Sequence, residues 1–180
     1  MNTLDTSLRC LRHPASIASV GLLVLNDWVF KAAAPSWVTG KLSDFAGLFF
    51  FPFVVAAVLA PLLDRRGVAA HEARRLAFGL TALAFALIKT MPWANTLSVE
   101  ILSHILGGPP QIVRDLTDLI ALLALWPAAR LWNECANAGP SRVGWVMLVL
   151  ASVASLATSP PREARVEALA VENGVLYARV

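Results

Sequence analysis

The sequence predicts an all-α membrane protein: a five-helix transmembrane bundle with a short interfacial helix and a C-terminal β-hairpin. Three observations predict this class. The 180-residue chain is 57% hydrophobic and only 15% charged, with a mean hydropathy of +0.64, whereas soluble domains carry about a quarter charged residues. Five apolar blocks, near 15–34, 43–63, 73–91, 115–132 and 141–158, approach the roughly 20 residues needed to cross hydrocarbon. Charge collects at the ends of the blocks, with arginine pairs on one side and a mixture of lysine and aspartate on the other. The blocks use up residues 1–158 as one membrane domain and leave 159–180 as a tail.

The first block follows Arg9, Arg12 and His13 and ends at Ala32-Ala33-Ala34, which imitates a signal-peptide cleavage site. Asn26, Asp27, Trp28, Phe30 and Lys31 are too bulky and charged for a cleavage region, so a retained helix is expected. Asp27 and Lys31, acid first and four apart, suit an intrahelical pair. In the second block Ser43 or Asp44 is expected to cap the helix, and Pro52 to kink it. Thr39-Gly40-Lys41-Leu42 fails as a phosphate loop, because Leu42 stands where Ser or Thr is needed. Lys89 ends the third block as Lys31 ends the first, where each meets the negative end of its helix dipole.

Residues 94–106 form an amphipathic stretch too short to cross, expected to lie at the interface and to stop at Gly107-Gly108-Pro109-Pro110. Asp115 and Asp118 open the fourth block beside Arg114, and Pro127 is expected to bend it. In the fifth block Ala151 and Ser155, four apart, would admit another backbone, from within the bundle or from a second copy. After Pro160-Pro161, Val166–Glu172 and Val175–Val180 flank Asn173-Gly174, the preferred type I′ hairpin turn.

Orientation follows from the arginines. With the N-terminus inside, short loops hold eight Lys/Arg on the inner side (Arg9, Arg12, Arg65, Arg66, Arg74, Arg75, Arg130 and Arg142) and four outside. Five spans then put the C-terminus outside, in a bacterial inner membrane. Trp28, Trp37 and Trp93 are assigned to the outer aromatic belt, and Trp126, Trp132 and Trp145 to the inner one. Cys10 and Cys135 fall on the cytoplasmic side as reduced thiols. The dispersed basic residues suit lipid headgroups and not nucleic acid.

This orientation brings Asp27, Lys31, Lys41, Asp44, Lys89, Glu100, His104, Arg114, Asp115 and Asp118 to one outer rim. Two arrangements compete for it. The lysines and Arg114 can neutralise the aspartates in a structural network. Alternatively, Asp44, Asp115 and Asp118 can hold magnesium, calcium or manganese, for which oxygen ligands are suited, or bind a cationic headgroup. Glu100 and His104, four apart, suit a base and its orienter, but no zinc, nucleophile or nucleotide motif accompanies them, and no cofactor is implied.

Thr39-Gly40-Lys41-Leu42-Ser43-Asp44-Phe45-Ala46-Gly47-Leu48, with Arg114-Asp115-Leu116-Thr117-Asp118-Leu119, resembles a pattern in uncharacterised bacterial multi-pass membrane proteins, which implies no activity. A weaker similarity is to the VanZ-like family, whose histidine-phenylalanine and arginine-glutamine signatures have no counterpart at matching places. The expected function is a non-enzymatic structural or interaction module in the lipid bilayer, presenting its outer tail to a protein partner. The alternative is a lipid- or small-molecule-handling protein with a polar pocket at the outer rim.

Overall fold

The longest helix is the axis on which everything else packs. In the computed structural model, which describes residues 2–33, 36–106, 112–136, 143–156, 168–172 and 175–179, helix α4 runs from Trp37 to Arg65. Its 29 residues extend about 43 Å, enough to cross a bilayer. It starts at a capping box. Ser36 Oγ accepts from the Thr39 amide at 3.2 Å, and Thr39 Oγ1 accepts from the Ser36 amide at 3.0 Å. Ser36→Ala is therefore expected to cost about 1 kcal/mol, read as a lower thermal midpoint in detergent. Ser43 and Asp44, expected as caps, lie inside the helix instead, one to two turns beyond its start. The helix continues through Pro52 and Pro61 and ends at Gly67, whose φ of 69° allows its amide to reach Asp64 O at 3.1 Å.

The remaining helices are α1 (Thr3–Arg12), α2 (Pro14–Leu25), the short α3 (Lys31–Ala33), α5 (Ala70–Thr90), α6 (Pro92–Leu106), α7 (Leu125–Cys135) and α8 (Val143–Leu156). A π turn, Asn26–Phe30, joins α2 to α3, and a 3₁₀ helix, Leu116–Ala124, leads into α7. Helix α4 packs against α1, α2, α5, the 3₁₀ helix, α7 and α8. Strands β1 (Ala168–Glu172) and β2 (Val175–Arg179) pair antiparallel, with Ala168 opposite Arg179 and Glu172 opposite Val175. Asn173-Gly174, Gly107–Pro110 and Pro160-Pro161 lie outside the described residues.

The expected fold class is corrected. Among the described residues one helix, α4, is long and apolar enough to cross a membrane, or up to three spans if each of two bent pairs counts as one. Five uninterrupted spans are not formed. Two of the breaks share a cause: a residue before proline is pushed out of the helical region. His13 and Met91, with ψ of 140° and 123°, precede Pro14 and Pro92. The paired helices meet there at 64° and 106°. The fourth block is also interrupted, as 3₁₀ geometry up to Ala124 and α geometry beyond, with Pro127 in the first turn of α7. In the fifth block the described residues form α8, 14 residues long, fewer than a span needs.

The core centres on Phe53, which is fully buried. Its ring meets Phe49, Phe78 and Trp132 at centroid distances of 6.3, 6.0 and 6.3 Å, the range of favourable aromatic pairs. Trp132 is thus 3% exposed and belongs to the core and not to an aromatic belt, whereas Trp28, Trp37, Trp93, Trp126 and Trp145 are exposed. Helix α1 buries Thr3, Thr6, Ser7, Leu8, Cys10 and Leu11, a helical stripe in which Thr3, Thr6 and Ser7 are small and polar. Its first amide donates to Asp64 Oδ1 at 3.1 Å, which ties it to the far end of α4.

Candidate functional site

The polar site is built around the first three turns of α4. Successive residues on one stripe of this helix, Gly40, Ser43, Asp44, Gly47 and Phe51, line a single cavity, as spacings of three and four require. On one flank stands the π turn. Its wider winding sets the consecutive residues Asn26 and Asp27 both toward α4, and both are buried. Asn26 Nδ2 donates to Thr39 O and to Ser43 Oγ, each at 2.6 Å, and Ser43 Oγ donates to Asp27 Oδ1 at 2.5 Å. Lys31 Nζ lies 2.6 Å from the same carboxylate oxygen. Asp27 Oδ2 and Asn26 Oδ1 are buried without a hydrogen-bond partner.

On the other flank Asp118 divides its carboxylate between two lysines. Lys41 Nζ is 2.7 Å from Oδ1 and Lys89 Nζ is 2.6 Å from Oδ2. Lys41 also donates to Thr117 Oγ1 at 2.6 Å, lies 3.7 Å from Asp115 Oδ2 and sits 4.5 Å over the Trp37 ring. Lys89 also donates to Asp44 Oδ2 at 2.8 Å and to the Val113 carbonyl at 3.4 Å. Two lysines thus face three aspartates, and the lysine side chains and that of Asp118 are each about one-tenth exposed. Charges held so far from water persist only when paired in this way.

The 3₁₀ helix makes this pairing possible. It buries Asp118, Ala121 and Ala124, a strict period of three that only 3₁₀ winding stacks in a line. Asp115 caps it, accepting from the Thr117 amide at 2.8 Å and hydroxyl at 2.7 Å. Those two bonds hold the partly exposed Asp115 carboxyl below the ordinary carboxylate range. Their contribution to stability is therefore full at neutral pH and is lost as pH falls through that lowered value. Asn95 Nδ2 donates to the Ile112 carbonyl at 3.2 Å, which fixes the segment leading into the cap.

Between the flanks the cavity encloses ≈ 440 Å³. Lys31, Ser36, Thr39, Asp44, Lys89 and Asp118 contribute its polar lining, and Leu23, Leu48, Phe51, Ala84, Phe85 and Ile88 are among its apolar walls. A Cβ added at Gly40 or Gly47 would meet nothing within 4 Å, so these glycines widen the space.

Of the rim residues expected from sequence, the structure joins Lys41, Asp44, Lys89, Asp115 and Asp118, and separately pairs Asp27 with Lys31, where Ser43 donates to the same carboxylate oxygen. Arg114 is exposed. Glu100 and His104 are exposed on α6, and His104 Nδ1 meets the Glu100 backbone carbonyl at 2.8 Å instead of its carboxylate. Among the described residues no group of three or more His, Cys, Asp or Glu is placed to hold a metal. Asp44 and Asp118, two of the three acids considered for a cation, are bonded by lysine, and Asp115 caps its helix. Asn26, Ser43, Thr117 and the two glycines were not among the site residues expected from sequence, and Ser43 was expected only as a helix cap. Only their spacing from the charged residues could have pointed to them. The chain matches no protein-family model, no curated protein and no solved structure.

Proposed function

We propose that the protein is a membrane-embedded binder of an amphipathic small molecule of lipid class, which it takes up with its apolar part in the α4 cavity and its head at the lysine–aspartate rim. The observation that carries this reading is the union of apolar walls and buried charge in one space of ≈ 440 Å³. Ligand sites are mostly apolar concavities with a few fixed polar groups. A purely structural role has support of its own, since Asp118, Lys41 and Lys89 satisfy one another. It offers no reason, however, for two glycines to keep a space open beside them.

In this reading α4 crosses a bacterial inner membrane with its Arg65 end toward the cytoplasm, as basic residues favour. The cavity then opens toward the extracytoplasmic side, and the N-terminus lies inside. Full-length protein in detergent, titrated with a fluorescent fatty-acid probe, is expected to bind it saturably. Gly47→Leu, which fills the cavity from its wall, is expected to weaken binding by at least about tenfold, equivalent to about 1.4 kcal/mol, with little change in thermal midpoint. Non-saturable partitioning that Gly47→Leu leaves unchanged would sink the proposal and favour the structural role. Reporter fusions at residue 67 that score as extracytoplasmic would overturn the orientation.

A further inference from the structure

The opposite end of the molecule carries a second arrangement, independent of the cavity. Cys10, near the end of α1, and Cys135, the last residue of α7, are 125 positions apart in the chain, yet the packing of α1 on α7 brings both into one buried core cluster. Both are free thiols. Both are buried, Cys10 fully and Cys135 to 6% exposure, and Cys135 lines an open cavity of ≈ 480 Å³. Arg9, Arg12, His13, Pro14 and Glu134 complete that wall. Arg9 is held in place by its bond to the Ala136 carbonyl at 3.1 Å. A thiol at the wall of a basic cavity, with a second thiol in the same core cluster on the helix packed behind it, has the parts of a dithiol exchange centre: an attacking sulfur at the cavity wall, a resolving sulfur behind it, and cations that favour thiolate and attract anions.

We infer that Cys135 and Cys10 form a thiol–disulfide exchange site for a small anionic disulfide, with Cys135 attacking and Cys10 resolving. The Cys135 thiolate attacks one sulfur of the disulfide RSSR. The S–S bond breaks, one RS⁻ leaves and takes up a proton, and a mixed disulfide remains on Cys135. Cys10 then gives up its proton and attacks Cys135 Sγ, which forms the Cys10–Cys135 bond and releases the second thiol as RSH. The protein loses two electrons and two protons, and RSSR gains both to become two RSH. The Cys10 side chain holds the Cys135 thiol below its ordinary value, outweighing burial and Glu134, and Arg12 and Arg9 act in the same direction. That is the order the attacking role requires.

The test uses full-length protein in detergent, exposed without denaturant to glutathione disulfide and then analysed by mass spectrometry and differential alkylation. Wild type is expected to lose both thiols together and gain an internal disulfide. Cys10→Ser is expected to accumulate a glutathione adduct on Cys135, and Cys135→Ser to form at least about tenfold less adduct. Relative to free N-acetylcysteine, the reaction is expected to prefer glutathione disulfide to neutral hydroxyethyl disulfide by about tenfold, and Arg12→Gln to erase most of that preference. Wild-type thiols that resist glutathione disulfide until the protein is denatured would overturn the proposal without reference to any variant. Adduct on Cys10 in preference to Cys135 would overturn the assigned roles, and equal rates with the two disulfides would overturn the anionic specificity.

Discussion

Asp118→Ala is expected to destabilise the protein more than any other single change at the rim, by about 3–5 kcal/mol. The reason is that Asp118 serves two cations at once, accepting from Lys41 on one oxygen and Lys89 on the other. Removing it leaves two nearly buried ammonium groups with Asp44 and the partly exposed Asp115 as their remaining acids. Thermal unfolding in detergent reads the loss. Asp118→Asn should cost less, because its amide oxygen still accepts one bond, and Asp115→Ala least, because that carboxylate touches Lys41 only at 3.7 Å. The double variant Lys41→Met/Asp118→Asn leaves Lys89 with Asp44 as a matched pair. It should be more stable than the sum of its single variants by about 1–3 kcal/mol, the coupling expected within one network. An Asp118→Ala protein that unfolds within about 1 kcal/mol of wild type would mean that the lysines reach water in its absence, as surface pairs do.

Gly144→Ala is the second large effect, and it acts where no charge is involved. A Cβ at Gly144 would stand 2.6 Å from the Leu8 carbonyl oxygen and 2.7 Å from Leu8 Cβ. Neither atom is the movable end of a side chain, so α1 and α8 must separate. The expected cost is about 1–3 kcal/mol, as for other overpacked sites, and larger for Gly144→Val. Hydrogen exchange should report it locally, as faster exchange of the amides of Thr3–Arg12 than of those in α4. Gly47→Ala is the control of opposite sign. Nothing lies within 4 Å of its added Cβ, so alanine's better helix propensity should stabilise by about 0.5–1 kcal/mol.

These two sites also mark what the sequence made legible. The rim charges were grouped from their positions at block ends, because a lysine or aspartate in an apolar setting must find a partner; Glu100, His104 and Arg114 from that group stand exposed instead. Asp118, Lys89 and Lys41 met as that logic requires. Helix α1 was missed for the opposite reason. Half of its buried stripe is Thr3, Thr6 and Ser7, beside Leu8, Cys10 and Leu11, which weakens the hydrophobic signal, and the interface depends on Gly144 letting a backbone approach. The prolines act by position. Pro52 lies inside α4, which continues past it. Pro14 and Pro92, each at the first position of a new helix, turned the chain by 64° and 106°. Continuous hydropathy across such a step is blind to direction, which is why blocks that read as spans emerge as bent pairs. The Cys10–Cys135 contact was equally invisible, since nothing in a 125-residue separation records which helix ends will meet.

The 3₁₀ winding of Leu116–Ala124 has a mechanical consequence. Nine residues at 2.0 Å rise instead of 1.5 Å form a segment about 4 Å longer than the same residues in an α-helix. Rewinding it would also carry Asp118 about 120° around the axis from Ala124 over those six positions, out of line with the alanines that seat it. The two lysine contacts on Asp118 therefore depend on the segment keeping its 3₁₀ winding, so the rim and the winding are one structural unit.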